Sequence, residues 1–232
     1  MTELRNQVQK FYNDYHSHRL RSPEKYQIQK YWSFFQGSVL EIGAGRWLWP
    51  SRRDSKYTVV EISDIALELA VHAGISGVLA DGGKLPFHDR AFSTVACHDV
   101  LEHVSNPVEF IGEMARVTEN YILIAGPNFV GTKIPDGAFV NLFQNILSFL
   151  SGVGREHVLI EEPHLVFDDL WVPDADAISA INAYGVSKSL VNLGLRVIHL
   201  QTWGKAACGY DWVPILKYLG PFMIVVGERQ DR

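Results

Sequence analysis

The residues of this chain best suited to chemistry are acidic side chains and histidines placed where short apolar runs end. Glu41 stands inside V-L-E-I-G-A-G-R-W at 39–47. Gly43 and Gly45 allow positive φ and let backbone approach a ligand with no Cβ in the way. A glycine turn leaving a strand suits a nucleotide-type cofactor, and a purely structural tight turn is the competing reading. Position 48 is Leu, so the G-x-G-x-x-G dinucleotide fingerprint is broken. A carboxylate inside the motif is a poor cradle for pyrophosphate and a good partner for a cationic amine. Glu61 ends the next apolar run, where an acidic side chain can accept both hydroxyls of a ribose; a solvated strand end is the alternative. Asp81, in A-D-G-G-K-L-P-F at 80–87, can accept from an exocyclic adenine amine or form an Asp-Gly turn.

A second constellation is His98-Asp99-Val100-Leu101-Glu102-His103. Three readings stay open. Glu102 and His103 can cap and brace a loop, as hydrogen-bonded buried side chains do. His98 or His103 can act as a general base, since imidazole titrates near neutrality. Asp99, Glu102 and His103 can offer oxygen and imidazole ligands to Mg²⁺ or Mn²⁺; this metal reading is the least favoured. Further on, R-E-H-V-L-I-E-E-P-H-L-V-F-D-D-L-W at 155–171 adds His157 and His164 as base candidates, together with Glu161, Glu162, Asp168 and Asp169. The alternative there is a solvated segment anchored by Phe167 and Trp171.

These residues need elements to position them. Apolar runs mark strands at Ser38–Ile42, Tyr57–Glu61, Gly77–Ala80, Phe92–Cys97 and Tyr121–Ala125. Helical spacing marks Asp64–Ala73 and Pro107–Val117, with Asp64 and Asn106 as N-cap candidates. This alternation predicts a parallel sheet with helices on both faces and ligand-binding residues along the carboxyl edge of the strands. The pattern breaks at Gly126, where Gly126-Pro127-Asn128, just after strand five, can turn the chain over a bound cofactor. An insertion follows, in which Phe139, Leu142, Phe143, Ile146, Leu147 and Leu150 trace an amphipathic helix. The end reads as helix Ala177–Leu193, strand Leu195–Leu200, an aromatic connection with Trp203, Tyr210 and Trp212, and strand Phe222–Val226. Residues 1–36 read as helical and polar, interrupted by Pro23.

Composition narrows the classes. A chain of 232 residues, 47 % hydrophobic and 20 % charged, can bury a sizeable core as one α/β domain. A net charge of −5 gives no global field for gripping phosphates, so nucleic acid is not an expected partner. Cys97 and Cys208 have no framework spacing and read as reduced thiols of a cytoplasmic protein. The polar start lacks a signal-peptide core. No apolar run is long enough for stable membrane insertion, and 139–150 has no Lys or Arg to attract anionic lipid.

Taken in order, E-I-G-A-G at 41–45, Y-T-V-V-E at 57–61, A-D-G-G-K-L-P-F at 80–87 and A-F-S-T-V-A-C-H-D-V-L-E-H-V-S-N-P at 91–107 resemble the class I S-adenosylmethionine-dependent methyltransferases, in their type 11-like small-molecule group. The resemblance covers roughly residues 35–126 and continues more weakly through the final strands. It implies a Rossmann-like, doubly wound α/β sheet of seven strands, mostly parallel with an antiparallel last strand, plus a helical and aromatic lid insertion. The single domain then divides into an N-terminal helical cover (1–36), a cofactor-binding core (37–126), a lid (127–176) and a C-terminal helix with the last strands (177–232). It also implies that Glu41, Gly43, Ala44 and Gly45 face the methionine part of S-adenosylmethionine, Glu61 its ribose and Asp81 its adenine. Ile62, Gly82 and His98 complete the cofactor-facing set. Tyr15 or an arginine of the N-terminal cover could contact the cofactor's carboxylate. One departure is Trp47, where the family often has a third glycine; an indole there packs under the cofactor or takes part of its space. The D-x-x-E-H of 99–103 is also similar to the metal-binding E-x-x-E-H of quinone-biosynthesis O-methyltransferases.

The function expected is methyl transfer from S-adenosylmethionine to a small-molecule, saccharide or glycan, or lipid-like acceptor. O-methylation is favoured because candidate bases cluster near the expected methyl group. The N-P-P-Y or D-P-P-Y motif of amino methylation is replaced by C-H-D-V at 97–100. Two alternatives stand beside this: a non-catalytic S-adenosylmethionine- or partner-binding module, and an NAD-dependent oxidoreductase or epimerase, which conflicts with the broken fingerprint. Neither the acceptor nor the oligomeric state is legible in the sequence.

Overall fold

Continuous apolar runs, rather than alternating ones, build the middle of the sheet. Val39, Leu40, Val59, Val60, Val95 and Ala96 are fully buried or nearly so, as are Ile122, Leu123 and Ile124. Burial at successive positions means both faces are covered, which parallel strands require. The computed structural model describes residues 2–18, 31, 33–45, 56–128, 179, 181–203 and 222–230. The insertion helix at 139–150, the 155–171 segment with His157 and His164, Trp47, Cys208 and most of the aromatic connection lie outside the described residues.

Helix α1 (Thr2–His18) is followed by β1 (Ser38–Ile42), β2 (Lys56–Glu61), α2 (Asp64–His72), β3 (Ser76–Leu79) and β4 (Phe92–His98). A 3₁₀ turn (Leu101–His103), α3 (Pro107–Val117), β5 (Thr118–Pro127), α4 (Ala183–Asn192), β6 (Leu195–Trp203) and β7 (Phe222–Arg229) complete the order. The seven strands lie in the order β3-β2-β1-β4-β5-β7-β6. β1 pairs in parallel with β2 and β4, and β2 with β3, whereas β6 and β7 are antiparallel. The expected seven-stranded, mostly parallel sheet with an antiparallel end is therefore the one observed.

Two compact units divide the chain: Met1–His98 with Glu113–Ile122, and Asp99–Gly112 with Leu123–Arg232. In the first, Ala66 and Ala70 of α2 are buried, and Ala70 packs with Val59 and Ala44. In the second, Ile181, Val186 and Leu190 are buried, as are Met223–Val226 of β7.

Several boundaries differ from the sequence expectation. Ser63, not Asp64, caps α2: its Oγ accepts from the Ala66 N–H at 3.1 Å. Asp64 sits in the first turn, where its charge complements the helix dipole. The Asn106 cap is observed, its Oδ1 accepting from the Glu109 N–H at 3.2 Å. The third strand lies one residue earlier than expected, and β5 runs on through Gly126 and Pro127, so the chain does not turn at Gly126. α4 starts at Ala183 rather than Ala177, because Asn182 caps it by accepting from the Gly185 N–H. β6 and β7 each extend three residues beyond the expected ends, to Trp203 and Arg229.

The approach to β1 is tightly specified. The Thr94 hydroxyl lies 2.8 Å from the Phe34 carbonyl, and Ser38 Oγ accepts from the Ser93 N–H at 3.0 Å. Gly37 sits between these anchors with φ of 62°, and a Cβ built there would lie 2.6 Å from Ser93 Oγ. Gly74 also has positive φ, but nothing lies within 4 Å of its built Cβ. Gly37→Ala should therefore cost about 2–3 kcal/mol, against ~1 kcal/mol for Gly74→Ala, which pays backbone strain without a clash. Urea denaturation of the two variants checks this; equal losses would show that the contact with Ser93 relaxes freely.

Candidate active site

β1 ends in a turn whose two glycines carry the reversal. Gly43 has φ of 70° and Gly45 φ of 61°, backbone that side-chain-bearing residues adopt with strain. The Gly43 N–H donates to the Val60 carbonyl at 2.9 Å. Between them Ala44 is buried against Val59 and Ala70. The Gly45 N–H donates to the carboxylate of Glu61. The turn is thus sewn to the end of the neighbouring strand by one backbone and one side-chain bond.

Glu61 is 3 % exposed. Burial pushes its pKa up from the ordinary 4.5 to about 7, and the hydrogen bond from Gly45 only partly opposes this. Glu41 meets a different environment. It is fully buried in β1, and the Tyr57 hydroxyl donates to its carboxylate. The sequence reading overlooked Tyr57. Its signal was an aromatic residue with a polar tip in K-Y-T-V-V-E, in a strand that pairs with the one carrying a buried acid.

Register places further candidates at the same edge. Ile42 pairs with Val60 on one side and Cys97 on the other, and Glu61 pairs with Leu79. Gly43, Ile62, Ala80 and His98 therefore lie at the carboxyl ends of four neighbouring parallel strands. Ala80 donates its N–H to the Glu61 carbonyl at 2.9 Å, which brings Asp81 beside β2. Asp81 forms the turn: its Oδ1 accepts from the Gly83 N–H at 2.9 Å and its carbonyl from the Lys84 N–H at 3.0 Å. The side chain is exposed, and Gly82 is half-buried. His98 is half-buried at the end of β4. Ser63, just after Ile62, donates to Asn13 Oδ1 of α1 at 2.7 Å, a link that helical periodicity alone does not reveal. The side chain of Tyr15 lies outside what is described.

In the second unit, Asp99 adopts φ of 50°, and its N–H donates to the Ala125 carbonyl at 3.0 Å. The Glu102 side chain is fully buried, with Oε1 3.7 Å from His103 Nε2. A Cβ built on Gly126 would lie 3.6 Å from Glu102 Oε2 and 3.6 Å from Ile181. Ser179 straps this turn, donating its N–H to the Glu102 carbonyl and its hydroxyl to the Val104 carbonyl. No group of three or more side chains able to hold a metal ion forms among the described residues, Asp99, Glu102 and His103 included.

Residues 40–121 match the family model described as a methyltransferase domain. Over this stretch the chain is similar to the methyltransferase-domain family, in line with the resemblance carried by its motifs. The overall likeness agrees. The structure is similar to an S-adenosylmethionine-dependent methyltransferase of Mesorhizobium loti, with a TM-score of 0.58 and 12 % identity over 88 % of this chain and 96 % of that one. It is also similar to one of Aquifex aeolicus, with a TM-score of 0.52 and 15 % identity over 90 % and 94 %. At these identities the likeness is one of fold. An uncharacterized protein of Methanocaldococcus jannaschii is 35 % identical over 82 residues, which are 35 % of this chain and 40 % of that protein. The match thus spans about two fifths of that curated relative's length. No described helix of the chain is long and apolar enough to cross a membrane.

The residues fit S-adenosylmethionine. The glycine turn presents backbone where any Cβ would strain, and Glu61 sets a buried acceptor carboxylate beside it. Once ionised, this buried acceptor opposes folding. The folded carboxyl holds its proton to about pH 7, the unfolded one only to about 4.5. Its stability contribution is fully present below about pH 4.5 and is lost as pH rises through 7, a loss of roughly 3 kcal/mol. Glu61→Gln should remove that slope and be the more stable form at pH 8. Denaturant melts from pH 4 to 8 check this; an unchanged slope in the variant would mean that another group carries it.

Proposed function

We propose that the protein transfers a methyl group from S-adenosylmethionine to a small-molecule, saccharide or glycan, or lipid-like acceptor, with oxygen as the favoured acceptor atom. The observation that carries this reading is the hydrogen bond joining the glycine turn to the buried Glu61 carboxylate, at the edge where His98 ends β4 and the Asp81 turn follows β3. Bound S-adenosylmethionine would supply an electrophilic methyl group and a neutral thioether as leaving group. The chain's own work is then orientation and proton removal.

In this reading Glu61 accepts the two ribose hydroxyls, whose donation favours its ionised form. Gly43 and Gly45 let the methionine part lie against backbone. Glu41, held by Tyr57, supports the turn from beneath rather than meeting the ligand amine first. Asp81 offers its carboxylate to the adenine amine while closing its own turn. His98 is the base favoured for an acceptor hydroxyl, because it ends β4 at this edge and imidazole titrates near neutrality. His103, His157 and His164 remain candidates for the same role.

Methyl-labelled S-adenosylmethionine and fractionated cell extract test the reading directly. The expected outcome is label in a small O-methylated product identified by mass. His98→Ala should lower turnover about 10²–10⁴-fold with far less effect on cofactor binding. Calorimetry near pH 6 in buffers of different ionisation heat should show proton release on binding, absent in Glu61→Gln. Binding without transfer in any fraction would replace the enzyme with a binding module. No binding at all, with Glu61→Ala indistinguishable from wild type, would remove the cofactor.

A further inference from the structure

The loop from Asp81 to Arg90 bears the proposed adenine contact, yet no strand pairing holds it. Its hold comes from the last turns of α3. Glu113 and Arg116 form a fork: Arg116 donates from Nε to Glu113 Oε1 at 2.8 Å and from Nη2 to Oε2 at 2.9 Å. The same guanidinium donates to the Leu85 carbonyl at 3.1 Å, the Phe87 carbonyl at 2.8 Å and Asp89 Oδ1 at 2.9 Å. Glu113 Oε2 in turn accepts from the Leu85 N–H at 3.0 Å. Leu85 is thus gripped by both of its backbone groups, with its side chain buried. The Arg90 N–H closes the far end on the Arg116 carbonyl at 2.9 Å.

Two features make this more than a stabilising ion pair. Arg116 is 31 % exposed and Asp89 77 %, so solvent screens the charges and global stability gains little. The contacts are instead spent on one short loop, and they begin directly after the turn that Asp81 closes on Gly83 and Lys84. A guanidinium is also the one side chain that can serve a carboxylate and several carbonyls in fixed planar geometry. Arg116 holds the Glu113 carboxyl below its ordinary range, so the pair stays ionised where Glu61 titrates.

We propose that Glu113 and Arg116 are positioning residues for base recognition: by clamping Leu85–Arg90 they fix Asp81 where its carboxylate selects a purine bearing a 6-amino group. This rests on the reading of S-adenosylmethionine as cofactor with its adenine at Asp81. The readout is preference between two ligands rather than affinity for one, because a merely structural role would weaken both alike.

The experiment titrates the demethylated cofactor, S-adenosylhomocysteine, and its hypoxanthine analogue, which carries a carbonyl in place of the amine. Wild type should prefer the adenine form by about tenfold or more, the worth of one hydrogen bond to a charged group. Arg116→Gln should bring that preference close to unity while keeping the proton release linked to Glu61. Arg116→Lys, which keeps charge but not the fork, should restore little of it. Should Arg116→Gln fail to fold, Glu113→Gln decides: a reduced preference supports the clamp, an unchanged one overturns it. A folded Arg116→Gln with full preference also overturns it, as does an Asp81→Asn with the wild-type preference. Wild type that binds neither ligand would instead sink the cofactor reading itself.

Discussion

A carboxylate kept out of water at the end of β2 is the constraint on which the site depends. Glu61 is buried, and burial favours its neutral form. The Gly45 N–H reaches it only because the chain reverses tightly after β1, through two residues with positive φ. That reversal is possible only because β1 and β2 are parallel and in register, with the Gly43 N–H on the Val60 carbonyl. Turn, register and acid therefore specify one another. An ionised Glu61 here opposes stability, and on the proposed reading the hydroxyls of the ligand offset that cost, as binding sites commonly trade stability for function.

Three acids near one sheet edge end in three different environments. Glu41 is enclosed and served by Tyr57; Glu61 is enclosed and served by backbone; Asp81 is exposed and folded into its own turn. The structural and ligand-binding readings of Asp81 are consequently not exclusive. One oxygen closes the turn, and that turn is what holds the carboxylate at the edge. The same logic extends to Glu113 and Arg116, whose bonds go to the backbone of the following loop.

The elements legible in the sequence were those encoded locally. Apolar runs gave β1, β2 and β4 almost to the residue, and Asn106 announced α3 because an N-cap acts over three residues. Glu61 was legible because it ended such a run. What escaped was decided by competition or by distance. Ser63 and Asp64 are both good caps, and side-chain reach to Ala66 chose Ser63. Helix-forming residues precede Asn182, so only its cap geometry marks where α4 begins. Gly126 and Pro127 read as a break, yet a strand end tolerates both. Tyr57, Asn13 and Arg116 act on residues far along the chain, and no periodicity connects them to their partners. The position of β7 between β5 and β6 is likewise a property of the sheet and not of any local pattern.

On the proposed reading, two electrostatic regimes hold the two ends of one nucleoside. The ribose end depends on Glu61, whose proton is in play near neutrality because burial raises its pKa more than the Gly45 N–H lowers it. The adenine end depends on Asp81 in a turn clamped by Glu113, whose charge Arg116 fixes. A clamp that does not titrate keeps the choice of base constant while affinity varies with pH through the ribose. Specificity and strength of binding are then set by different residues, separated along the carboxyl edge of the same strands. Neither regime says anything about the acceptor, which must approach the methyl group from the side opposite its leaving sulfur. That separation is why one cofactor cradle can serve many acceptors, and why the fold carries the cofactor further than it carries the substrate.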